Sequence, residues 1–164
     1  MTIVARVLLF VVVCIVVCGP ASAQRSLDGV RRAWAECQAK QNASPAFLAL
    51  RHKIGSRASP HVALSTDKAT PEEAQQLQTL LRDYMMPCRQ FELELARRRL
   101  PPIVPFLEAS YAKSNVNFER LIEGQISWGQ FIRDANAIGA ELDDEIRRHE
   151  SAAVEDELPG NASK

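Results

Sequence analysis

Residues 70–99, TPEEAQQLQTLLRDYMMPCRQFELELARRR, carry the longest helical signal in the chain, and the other segments read as elements that pack on it or tie to it. Thr70 can accept a hydrogen bond from an orphan N–H of the first turn, and Glu73, three residues on, can reach back to complete a capping box. Pro71 falls at the first helical position, where its missing N–H costs nothing, and Glu72 and Glu73 complement the positive end of the dipole. Leu77, Leu80, Leu81, Tyr84, Cys88, Phe91 and Leu95 recur at helical spacing as one apolar stripe. Arg97, Arg98 and Arg99 place positive charge at the other end, and Pro101-Pro102 stops the helix. Pro87 interrupts the pattern: inside a helix it removes a hydrogen bond and clashes with the carbonyl of Asp83. Because the stripe continues past it, the pattern predicts a kinked helix or two abutting ones.

The front of the chain sets the compartment. Arg6 is followed by an apolar run over residues 7–18, a Gly19-Pro20 break and the small residues Ala21-Ser22-Ala23. That is the pattern of a signal peptide over residues 1–23, cleaved after Ala23. The run is shorter than the roughly 20 residues a membrane span needs. Lipid attachment at Cys14 or Cys18 is the rival reading, disfavoured because Val13 and Val17 stand where a small residue is preferred. The remaining chain has 19 basic and 20 acidic residues, so charge gives no reason to expect nucleic acid or an anionic membrane as partner. Sparse glycine and aromatics, with abundant Ala, Leu, Glu, Gln and Arg, are helix-bundle composition. Two cysteines remain, Cys37 and Cys88, and an even pair in an exported chain reads as a disulfide. Closing a loop of about 50 residues contributes roughly 4 kcal/mol through the unfolded state.

The expected architecture is all-α: about four helices in a small bundle over residues 24–150, one disulfide, a long irregular connector after the first helix, and a frayed tail over 151–164. Ser26 or Asp28 caps a first helix to about Gln41, on which Val30, Trp34, Cys37 and Gln41 share a face. A short helix follows from about Pro45 to Ile54, and an irregular connector runs to residue 69. A third helix from Ile103 or Pro105 to Glu123 buries Leu107, Tyr111, Ser114, Phe118 and Leu121 or Ile122, with Gly124 as its left-handed terminator. Ser127 and Gln130 form a second capping box, and Ile126 and Phe131 occupy the positions of a hydrophobic staple. The last helix then carries the stripe Phe131, Ala135, Ile138, Leu142 and Ile146.

Chemistry is harder to find. GxSxG, HExxH, CxxC and phosphate-cradling glycine loops do not occur in the sequence. Glu108, between Leu107 and Tyr111, is the carboxylate that looks least solvated. His52 and His61 in the connector, with Arg51 and Lys53 nearby, are candidate ligand contacts, but two histidines lack the third ligand of a zinc site. Trp34 and Trp128 are candidate partner contacts, although the register of Trp34 with Cys37 also fits a core position. Met85-Met86 offers soft sulfur of the kind that suits Cu(I), but neighbouring residues on a helix face different ways. No metal or cofactor is expected.

Trp34 and Cys37 on the first helix, LRHKI (50–54), ATPEEAQQL (69–77), the Cys88-Arg89 pair and LIEGQISWGQF (121–131) resemble a diffuse group of small exported bacterial helical proteins, most without an assigned function. LIEGQISWGQF is also similar to short helical modules with an L..G.I....F pattern that are thought to mediate oligomerisation. The resemblance implies no catalytic residue. The resulting expectation is a non-enzymatic periplasmic or secreted protein, an interaction or envelope-accessory factor acting on an envelope protein or on itself. The alternatives are an envelope-stress chaperone or small-ligand carrier and, with less support, a cell-envelope enzyme.

Overall fold

The computed structural model describes residues 26–54 and 60–156. The leader over residues 1–23 with its cleavage site, and residues 157–164 of the tail, lie outside the described residues. Helix α1 (Leu27–Ala43) starts at Ser26, whose hydroxyl accepts from the Gly29 N–H at 3.1 Å. It passes directly into α2 (Pro45–Leu50) through Ser44, which is buried and turns its hydroxyl to the Phe47 N–H at 3.1 Å. A 3-10 turn (Pro60–Leu64) punctuates the connector before the central helix.

That central helix comprises α3 (Pro71–Thr79), a π-helical stretch (Leu80–Met85) and α4 (Met86–Arg99). Thr70 and Glu73 form the reciprocal capping box. Where the sequence predicts a kink or two abutting helices the structure has the π stretch: the Met86 N–H reaches the Leu81 carbonyl, five residues back, and the backbone stays helical on both sides of Pro87. A π stretch holds one residue more than α-winding needs, so it delays the buried face downstream. The strict 3.6 period expects Phe91 and Leu95 inside; the residues buried on α4 are Cys88, Arg89, Leu93 and Ala96.

A 3-10 turn (Pro101–Ile103) reverses the chain into α5 (Val104–Ile122), which ends at Gly124 with φ of +67°, a backbone setting that suits a residue without a Cβ. Helix α6 runs Trp128–Asp156, so the segment expected to fray after residue 150 remains helical to Asp156. Ser127 accepts from the Gln130 N–H at 3.2 Å. The Gln130 side chain, however, turns to Asp134 and Arg133 rather than back toward the cap, while the staple residues Ile126 and Phe131 are both buried.

Among the described residues all regular structure is helical, and Cys37 and Cys88 are joined with Cα atoms 5.5 Å apart, fastening α1 to α4. Apolar burial falls into two clusters. The larger one gathers α2, α3, the π stretch, α5 and the start of α6 around Leu50, Leu77, Leu80, Phe118, Leu121 and Phe131; the smaller one packs Leu93, Ala96, Ile103 and Leu107. Phe131 is met edge-on by Phe118 at 4.9 Å and by Trp128 at 5.8 Å between ring centres. Asn117, buried, donates its amide N–H to the Phe131 carbonyl at 2.9 Å and joins α5 to α6.

Candidate functional site

Along the central helix the two apolar clusters leave an interval, with Leu80 in one and Leu93 in the other. A half-open cavity of about 570 Å³ lies beside this interval, lined by Phe47, Ile54, Leu80, Met85, Phe118, Phe131 and Ile132 with small or polar residues at its edge. The size and apolar lining are those of a small-molecule site. The walls come from six elements: α1 gives Gln41, α2 Phe47, the π stretch Leu80 and Met85, α4 Arg89, α5 Ser114 and Phe118, and α6 Phe131, Ile132, Ala135 and Asn136. The connector contributes Ile54 and Ala63.

Among the described residues Arg89 is the one charged residue of that lining, and it is only 9% exposed. It lies between the large cavity and a smaller one of about 260 Å³ whose lining includes Met86, Leu93, Tyr111 and Asn115. The guanidinium stands 4.7 Å from the centre of the Tyr111 ring and donates to the side-chain amide oxygen of Asn115. Among the described residues no carboxylate lies within 4 Å of it. Burial, the dominant influence, lowers its pKa below the ordinary arginine value; Tyr111 and Glu92 act the other way. Burial and then the neighbouring Glu92 raise the Tyr111 phenol above its ordinary range.

The sequence candidates are dispersed. Trp128 is 1% exposed and belongs to the core, so it presents no contact surface: its ring packs on Phe131 and its indole N–H donates to the Glu73 carboxylate at 3.2 Å. The same carboxylate accepts from the Thr70 N–H at 3.0 Å and pairs with Lys53 at 2.5 Å, while the Lys53 ammonium sits 4.9 Å from the Trp128 ring centre. This knot ties the end of α2, the start of α3 and the start of α6 together. Burial raises the Glu73 pKa, but Lys53, the Thr70 backbone and Trp128 together outweigh it and leave the carboxyl below its ordinary value. Trp34 is half-buried, with its indole nitrogen enclosed and unpartnered. His52 and His61 are exposed, and neither lines the cavity. Glu108 is exposed and pairs with Arg97 at 3.0 Å. Met85 faces the cavity while Met86 is 46% exposed, so the adjacent sulfurs diverge.

Sequence reasoning missed Arg89 as a site residue. A signal for it exists: successive residues on a helix lie about 100° apart, so the neighbour of a buried cysteine lies at the edge of the same buried face.

Gly129 was also passed over. A Cβ there would meet the Ser65 carbonyl oxygen at 2.4 Å and that of Ala63 at 2.9 Å. The connector approaches this closely because its carbonyls satisfy the start of α6: Trp128 N–H donates to Asp67 at 2.8 Å and Gly129 N–H to Ser65 at 3.1 Å. Arg133 adds a hydrogen bond to the Ala63 carbonyl at 2.7 Å, which places Ala63 on the cavity wall.

No family model matches the chain, and no curated protein or solved structure is significantly similar to it. Among the described residues no group of three or more His, Cys, Asp or Glu could hold a metal ion, and no helix is long and apolar enough to cross a membrane.

Proposed function

We propose that this is an exported, non-enzymatic binding protein that carries a small apolar ligand between its helices. Of the functions left open by the sequence, carriage is supported by one observation above all: the cavity of about 570 Å³, walled by aromatic and aliphatic side chains that in a fully packed bundle would meet one another. Export is supported by the basic, apolar and small-residue order of residues 1–23 and by a cysteine pair of the kind that persists in oxidising compartments. The ligand would enter by the mouth beside Ala135 and Asn136 of α6.

Titration with the neutral fluorophore N-phenyl-1-naphthylamine tests carriage. The folded protein is expected to bind it saturably. Ala135→Trp, which places a large ring at the mouth on an exposed helical position, is expected to abolish the signal while leaving the helical circular dichroism intact. Absence of saturable binding of both this probe and its sulfonated counterpart by folded wild type refutes carriage. The intact mass of protein recovered from the host envelope tests export: a chain starting at Gln24, with both cysteines oxidised, is the expected species, and one retaining residues 1–23 would refute cleavage.

A further inference from the structure

We propose that the ligand is an anionic amphiphile whose acid group docks on Arg89 while its apolar body occupies the cavity, an assignment that rests on the carrier function above and names its ligand class. The chemistry required is a single acid head (carboxylate, sulfate or sulfonate) on an aliphatic or aromatic body.

Three observations converge on Arg89. It is a cation nine-tenths buried on the wall of a cavity whose other described lining residues are uncharged. Its companions, the Tyr111 ring and the Asn115 amide, orient the guanidinium and supply no opposite charge. A guanidinium has five N–H donors, yet Asn115 is its only hydrogen-bond acceptor among the described residues. None of its nitrogens is both sealed from solvent and unpartnered, and the residue lines the cavities on both sides.

The contrast with Lys53 sharpens the point. Lys53 is also largely withdrawn from water, and the fold gives it the Glu73 carboxylate at 2.5 Å. Arg89 is more deeply buried, and its nearest acidic influence, Glu92, lies beyond ion-pair distance. A buried cation without a counterion is costly unless one is supplied. The planar guanidinium fork fits an oxyanion, with two parallel N–H···O bonds available. The cavity thus combines a fixed positive end and an apolar body, which matches a molecule with a negative end and an apolar body.

The test compares two probes with the same aromatic frame, N-phenyl-1-naphthylamine and its sulfonated counterpart 1-anilinonaphthalene-8-sulfonate, on the oxidised full-length mature protein. Wild type is expected to bind the sulfonate about ten-fold or more tightly than the neutral probe, the range of a hydrogen bond to a charged group. Arg89→Met is expected to bring the two probes to parity. Asn115→Asp keeps the shape of the site and places a carboxylate against the guanidinium, so it is expected to remove the preference even if Arg89→Met does not fold. Arg89→Lys should retain part of the preference. Equal affinities in wild type, or a preference that survives Asn115→Asp, overturns the head-group assignment and leaves carriage standing. Binding of neither probe overturns both.

Discussion

Gly129→Ala adds a single carbon, yet it is expected to be among the most damaging small substitutions in the molecule. The new Cβ would lie 2.4 Å from one connector carbonyl oxygen and 2.9 Å from another. Both obstacles are backbone atoms, so no side-chain rotation relieves the contact. The connector must move, and with it go the hydrogen bonds from Trp128 to Asp67, from Gly129 to Ser65 and from Arg133 to Ala63. At about 1 kcal/mol for each, the loss is about 3 kcal/mol. Alanine returns about 0.5–1 kcal/mol of helix propensity, leaving a net loss of about 2 kcal/mol. Gly139→Ala is the internal control: it lies in the same helix with nothing within 4 Å of its Cβ, so the propensity term acts alone and stability rises. Urea unfolding followed by circular dichroism reads both. With a slope of about 2 kcal/mol/M, the midpoint should fall by about 1 M for Gly129→Ala and rise by less than half that for Gly139→Ala. Because Ala63 lines the cavity, the first variant should also weaken probe binding. A Gly129→Ala midpoint equal to that of Gly139→Ala would refute the close approach of the connector.

Removing the disulfide with Cys37→Ala and Cys88→Ala together should lower stability by about 4 kcal/mol, read as a reduced urea midpoint; wild type in reductant should fall toward the same value. The Glu73 carboxyl is held below its ordinary value in the folded state, so its contribution is complete above the ordinary glutamate pKa and is lost as pH falls through the lowered folded value. Glu73→Gln should therefore flatten the acid limb of a stability–pH profile between pH 6 and 3, and an acid limb unchanged from wild type would count against the Lys53–Glu73–Trp128 knot. Asn117→Ala removes the bond to the Phe131 carbonyl and should cost about 1–3 kcal/mol in the same urea assay.

Much of the fold was legible because its local signals agree with its packing. Ser26, the Thr70–Glu73 box, the Ser127 cap and the positive φ of Gly124 sit where their chemistry places them. The cysteine pairing followed from parity and compartment. The phase of α4 was not legible, because a constant helical period cannot represent the extra residue held between Leu80 and Met85. That is why Phe91 and Leu95 were expected inside and Arg89 went unnoticed. Trp128 looked available as an aromatic of a capping motif; its burial depends on Lys53 and Glu73, partners far away in sequence that local patterns do not reveal. The cavity is a property of six elements meeting, and no single segment carries its signature.

The π-helical stretch acts as a phase setter. Ordinary α winding of the same residues across Leu80–Met85, with none removed, would turn everything beyond them by about 100° relative to α3. Cys88 would swing away from Cys37, and Arg89 would leave the Tyr111 ring and the cavity wall together, since adjacent residues on one rigid helix rotate as a unit. The covalent bond between α1 and α4 thus does more than shorten a loop. It fixes the angular setting of the central helix, and a chain oxidised at Cys37 and Cys88 has the orientation of Arg89 on the cavity wall chosen before any ligand arrives.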